Sequence, residues 1–221
     1  MPEWVEPVAR YILTEGLPGT LQVAAIAVVG SAVIGVLLGT LLTIDFWPAK
    51  AAIRLYVEVF RGLPILVTVF VVYLGLPALV PALELEALMA AAVALVLWGS
   101  AQVAEATRGA VQSIPHEQHE AAGALGFGWV GRHRHVILPQ ALRVLLPPFV
   151  SLLVNIIQNT TIAQVIGAAE LLETGERSVE RLTFTTLDSH ALEIFAAVAA
   201  VFFIISFPLT RLAARLEKRL V

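Results

Sequence analysis

Apolar residues along this 221-residue chain cluster into five stretches, near 20–44, 53–76, 87–107, 147–166 and 190–210. Shorter segments between them carry most of the charges. Each stretch holds about the twenty residues a helix needs to cross a bilayer core, so the pattern predicts five spans in a single membrane domain covering 1–221. The fourth is interrupted by Asn155, Gln158, Asn159, Thr160, Thr161 and Gln164. Trp4 and Tyr11 suit a short interfacial helix over 4–15. Gly35 and Gly39 read either as a small-xxx-small packing pair or as the ordinary glycine usage of a membrane helix. Asp45-Phe46-Trp47-Pro48 ends the first span. Pro64 removes a backbone donor and disfavours helix at Leu63, predicting a kink or unwinding near Gly62. Ile114-Pro115 ends the third helix, Pro139 opens a new element, and Pro147-Pro148 is expected to break it so that the fourth span starts afresh. Residues 167–189 read as an acidic outer segment with a short helix around Ala168 to Gly175.

Composition narrows the class. Hydrophobic residues make up 58% and charged residues 14%, with a mean hydropathy of +0.86, whereas soluble domains carry about a quarter charged residues. There is no cysteine, hence no disulfide framework and no thiolate metal site. Pro2, Glu3, Glu6 and Glu15 around Arg10 are unlike a cleavable signal. The basic residues are lopsided. Lys50, Arg54, Arg61, Arg108, Arg132, Arg134, Arg143, Arg211, Arg215, Lys218 and Arg219 fall on one side of the five spans, against Arg10, Arg177 and Arg181 on the other. The positive-inside rule then puts the N-terminus outside, and the C-terminus and the long loop after the third span in the cytoplasm.

Within the spans, polar side chains mark where function is carried. Gln102, Glu105 and Gln112 share a helical stripe, and Arg108 follows Glu105 by three residues, suiting an ion pair that lowers the cost of both charges near lipid. Arg61 lies about eight residues into the second stretch and needs Glu58 or Glu105 as a partner, or must snorkel. Asn155, Gln158 and Asn159 fall at i, i+3, i+4 and face one way; amides at that depth bond another helix or a polar solute. A polar solute crossing here would find donors in Arg61 or Arg108 and acceptors in Glu105 or Asn159. Thr160 completes the candidate pathway set.

Several chemistries are absent. The only lysines, Lys50 and Lys218, follow no glycine-rich loop, so the chain holds no nucleotide-binding motif. Nothing resembles a Ser/His/Asp set or HExxH. His116 with His119 and His133 with His135 have spacings that could ligate a metal, but interfacial histidines are common and no metal site is assigned. The basic residues are explained by topology and do not call for nucleic acid.

The long loop at about 115–139 carries the most specific signal. Glu120-Ala121-Ala122 is followed after three residues by Gly126, after nine more by Val136, then by Leu138-Pro139. Two small residues behind a carboxylate and a glycine four positions past Ala122 suit a short helix that packs closely and turns sharply. This resembles the EAA loop of permease subunits of bacterial ATP-binding-cassette importers. Phe60-Arg61-Gly62-Leu63-Pro64, Ala104-Glu105-Ala106-Thr107-Arg108-Gly109, Gln112-Ser113-Ile114-Pro115 and Ile166-Gly167 with Glu170-Leu171 are similar to the polar amino-acid subfamily, which includes histidine, arginine, glutamine and glutamate permeases. The resemblance implies an all-α, five-helix permease in the inner membrane that works as a homo- or heterodimer by alternating access. It further implies two ATPase subunits that hold ATP and Mg, docked on Glu120, Ala121, Ala122 and Gly126, and an external amino-acid-binding protein. Where many relatives carry Lys-Asp-Thr-Ser, this chain has Gln158-Asn159-Thr160-Thr161. Losing both charges favours glutamate or glutamine over a basic substrate. An ion-coupled secondary transporter or channel using Glu105, and a structural membrane scaffold, are the alternatives.

Overall fold

The computed structural model describes residues 2–44 and 46–220, so Asp45, read as part of the end of the first span, lies outside the described residues. Among those residues all regular structure is helical. The first helix, α1, runs unbroken from Val5–Leu41. The interfacial helix expected over 4–15 is therefore its first three turns, joined to the span by a π turn at Ile12–Gly16. A break after residue 16 is unnecessary because the Gly16 backbone packs against Leu171 and Thr174, holding the junction in place.

The buried face of α1 is almost entirely small: Gly19, Thr20, Val23, Ala24, Ala27, Ser31, Gly35, Gly39 and Thr40. It lies along α4, Ala87–Gln112, the central helix of the domain. Their backbones come so close that a Cβ on Gly39 would collide with the Ala104 carbonyl, and one on Gly35 would strike the Val103 side chain. The packing reading of that glycine pair is the one observed. In lipid, where apolar burial drives helices together only weakly, such backbone proximity supplies much of the attraction.

The second stretch differs most from expectation. Instead of one kinked span it forms α2, Trp47–Gly62, and α3, Ile65–Leu79, which meet at 109°. Leu63 and Pro64 between them are extended, with ψ of 139° and 130°. The unwinding expected at Gly62 is there, but it is a right-angle turn. The sequence of α2 explains why: Lys50, Arg54, Glu58 and Arg61 line its exposed side, while Ile53, Tyr56, Val57 and Phe60 face the protein. Arg61 is thus on the last turn of an amphipathic helix, at the edge of the bend.

After α5, His116–Ala124, one helix, α6, runs from Trp129–Ile166. Pro139 does not start it, and Pro147-Pro148 does not break it. Those prolines deprive the Arg143 and Val144 carbonyls of their usual donors. The helix continues because it is packed against α4 on one side and against α8, Ala191–Leu220, on another. The outer segment is also longer and later than expected: α7 spans Leu171–Thr186, not Ala168 to Gly175. Its start is fixed by Glu170, whose carboxylate accepts the Glu173 N–H at 2.8 Å as an N-cap. Glu170 also receives the Thr20 hydroxyl at 3.5 Å, and the Leu171 N–H donates to that same hydroxyl at 3.0 Å, clasping α7 to α1.

Candidate functional site

Pro115 delivers the chain into α5 in an extended conformation, with ψ 141°. The helix is closed by two backbone bonds: Phe127 N–H to Ala122 O at 3.1 Å and Gly126 N–H to Gly123 O at 2.9 Å. Together with φ +83° at Gly126, these make a Schellman cap with glycine in the left-handed position. The cap orients the helix faces. Ala122 is buried, while Glu120 and Ala121 are exposed. Leu125 and Val130, large apolar side chains, extend that outer surface at 76% and 69% exposure.

Beneath it, the loop is tied to the rest of the domain. Gln140 donates to Gln118 Oε1 at 3.4 Å. The His119 and His133 rings lie edge to face with centroids 6.3 Å apart. His133 is buried, stacked on Trp129 at 4.1 Å, with Nδ1 at 3.0 Å from Trp129 O and Nε2 at 3.1 Å from Thr43 Oγ1 at the end of α1. A carbonyl only accepts, so Nδ1 carries a proton; the Thr43 hydroxyl beside Nε2 itself donates to Thr40 O at 2.7 Å. Burial, with neighbouring His133 and Arg132, pushes the His119 pKa below the ordinary histidine value. His135 points away and bonds Gly131 O. No group of metal-ligating side chains forms among the described residues. The His133–Thr43 tie was invisible to spacing rules, although Trp129 and His133 at i, i+4 signalled the stacked pair.

The charges form a second cluster. Arg108 grips Glu105 with two bonds, Nε to Oε2 at 3.1 Å and Nη2 to Oε1 at 2.5 Å, and also reaches Gln112. Arg61 stands 4.0 Å from the same carboxylate and donates to Gln102 at 3.4 Å. Glu105 therefore lies between two guanidinium groups, while Glu58 pairs with Arg54 instead. This cluster bolts the end of α2 to α4.

The amides of α6 are elsewhere. Asn155 Nδ2 donates to Ser151 O at 3.2 Å and Asn159 Nδ2 to Asn155 O at 2.8 Å. Those carbonyls demand donors, so each amide turns its oxygen outward as an acceptor. Gln158 is exposed on the same side, whereas Thr160 is fully buried and donates to Ile157 O at 2.8 Å. Ile156 between them packs on Leu95 and near Gly99 of α4. Glu105 lies six residues beyond Gly99, about 9 Å along the helix, so the amide stripe and the ion cluster occupy different depths.

A helical membrane domain with a capped, outward-facing loop helix is the permease class of an ATP-driven importer. The chain belongs to the family of binding-protein-dependent transport system inner membrane components, whose family model matches residues 31–221. It is 37% identical over 209 residues to the glutamine transport system permease protein GlnP of Escherichia coli strain K12, covering 95% of this chain and 93% of that one. It is 34% identical over 206 residues to the probable glutamine ABC transporter permease protein GlnM of Bacillus subtilis strain 168, covering 93% and 92%. Its fold matches the crystal structure of an amino acid ABC transporter with histidines at a TM-score of 0.81, with 28% identity and 99% of each chain covered. The inward-facing MetNI methionine ABC transporter matches at 0.78 with 20% identity over the full length of both chains, a likeness of fold. The chain is accordingly a multi-pass inner-membrane permease subunit of an amino-acid importer. It is not itself an enzyme; ATP hydrolysis belongs to a partner ATPase, and membership implies a second permease subunit. An ion-coupled secondary transporter or channel, and a structural scaffold, are set aside.

Proposed function

We propose that this subunit lines the pathway of a glutamine or glutamate importer and is driven by alternating access through α5. The observation that carries the reading is the Schellman-capped helix whose outer face, Glu120 and Ala121 continued by Leu125 and Val130, has no covering element among the described residues, while Gln118 and the His119 ring tie it to α6, which His133 in turn joins to Thr43 just past α1. A partner ATPase seated on that face, holding ATP and Mg, would move α5, and with it the ends of two spans, as it closes. Ala122 sits on the buried side and Gly126 forms the cap, so both shape the dock, while Glu120 and Ala121 touch the partner.

For the substrate, the outward amide oxygens of Asn155 and Asn159 offer acceptors to an ammonium group, and Gln158 offers a donor. The stripe carries no net charge, which suits a zwitterion with a neutral or acidic side chain, and relatives are named for glutamine. Arg61, Glu105 and Arg108 act lower down as a helix-to-helix brace that the moving solute passes. Thr160 shapes the wall from behind. An external amino-acid-binding protein delivers substrate to the side bearing the N-terminus, and the C-terminus is cytoplasmic.

The test is amino-acid-stimulated ATP hydrolysis by the complex reconstituted in liposomes. Glu120→Arg reverses the charge on the docking face without touching the core. Stimulation lost at normal complex yield supports the reading; wild-type stimulation would show that the loop does not couple.

A further inference from the structure

The end of α8 carries a groove that neither the coupling loop nor the pathway uses. Phe203 and Phe207 stack at 5.0 Å, and the Arg211 guanidinium sits 4.9 Å over the Phe207 ring. Phe207, Arg211, Ala214, Arg215 and Lys218 line a cavity of about 410 Å³. Their spacing of four, three, one and three residues puts them on one face of the helix. The short Ala214 side chain leaves a floor between three cations. Above them, Phe203 and Ile204 are 62% and 68% exposed, an open apolar surface leading into the basic end. Ala213, on another face, is buried, and Glu217 lines a separate hollow with Pro147 and Pro148, so among the described residues no carboxylate lines the cavity of the three cations.

We propose that this groove is a binding site for an anionic phospholipid. Its phosphate sits between Arg211, Arg215 and Lys218, and its chain lies along Phe207 and Phe203. Sidedness alone asks only for basic residues somewhere beyond the span; it does not align three of them over an alanine below an aromatic column. Arg219 shows the difference, since it shares the tail but not the cavity. The proposal rests on membrane placement, not on ATPase coupling or on orientation, so it stands or falls separately from the proposed function.

The experiment is native mass spectrometry of the whole importer released from nanodiscs holding equal phosphatidylglycerol and phosphatidylcholine. Each basic side chain near a headgroup contributes about fivefold in affinity, so the triple variant Arg211→Gln/Arg215→Gln/Lys218→Gln should bind phosphatidylglycerol on the order of a hundredfold more weakly. Arg219→Gln should retain it. Ala214→Leu keeps every charge, fills the floor at an exposed position, and should also lose the lipid, guarding against a triple variant that merely misfolds. Undiminished phosphatidylglycerol in the triple variant or in Ala214→Leu, or equal loss in Arg219→Gln, overturns the site. Full displacement by millimolar inorganic phosphate would make it a free-anion site, and loss of the ATPase or second permease from the triple variant would make it a protein contact; either result overturns the lipid assignment.

Discussion

Gly126→Ala isolates the backbone of the loop from everything else. Nothing lies within 4 Å of the position a Cβ would take, so no clash is created. The only penalty is φ +83°, which costs a residue with a side chain about 1–2 kcal/mol. If the two cap bonds of 2.9 and 3.1 Å close in a single step, that energy reduces the capped population relative to the frayed one by about five- to thirtyfold. Gly109 supplies the control: it too has nothing within 4 Å, but it is an exposed interior residue of α4, where alanine gains about 1 kcal/mol. Hydrogen exchange over 116–127 should therefore accelerate in Gly126→Ala and stay unchanged in Gly109→Ala. Amino-acid-stimulated ATP hydrolysis in liposomes should fall only in the first. Unchanged exchange in Gly126→Ala would refute the cap argument, and full stimulation despite faster exchange would refute the coupling role.

Gly39→Val forces side-chain atoms into the Ala104 carbonyl and the Thr107 side chain, so detergent-solubilised complex should melt well below wild type, overpacking costing about 1–3 kcal/mol or more; an unchanged melting curve would show that α1 and α4 separate freely. Burial holds the Glu170 carboxyl above the usual carboxylate range, so its contribution to stability is complete below the unfolded pKa and is lost as pH rises through the folded one. Protection of the first turn of α7, corrected for intrinsic exchange, should fall over that window, and Glu170→Gln should flatten the profile; the same slope in the variant assigns it to another group. Cysteines at Thr14 and Arg215 should label from opposite sides of intact cells, and same-side labelling would end the odd-span topology. Asn159→Ala should shift substrate preference or transport rate at normal yield, whereas lost assembly with unaltered selectivity would make the amide structural.

The features legible in the sequence were those written locally. Gly126 demands its left-handed turn within a few residues, Pro64 forbids helix at its neighbour, and Glu105 with Arg108 sit within one turn. What escaped depends on distant partners. Pro147-Pro148 is a helix breaker by local rules, but contacts with α4 and α8 keep α6 helical. The clasp of Thr20 with Glu170 spans 150 residues and that of Thr43 with His133 spans 90, so no window around either residue reports it. The turn between α2 and α3 was half visible: proline announced the break, but the charged side of α2 had to be weighed to see that the two halves diverge by 109°. Positions of the site residues follow the same division, with the loop read from its motif and the depth difference between the amides and Glu105 set only by how α6 packs on α4.

The brevity of α3 bears on how the chain enters the bilayer. Its fifteen residues, Ile65–Leu79, measure about 22 Å as a helix, while a hydrocarbon core is about 30 Å thick. Alone it is too short to be handed to lipid as a finished span, and its buried residues Val69 and Val72 already face Ala90 and Ala94 of α4. The connection at residues 80–86 holds only a single turn, Pro81–Leu83. We therefore expect α3 to enter the bilayer paired with α4 as a hairpin, and not alone.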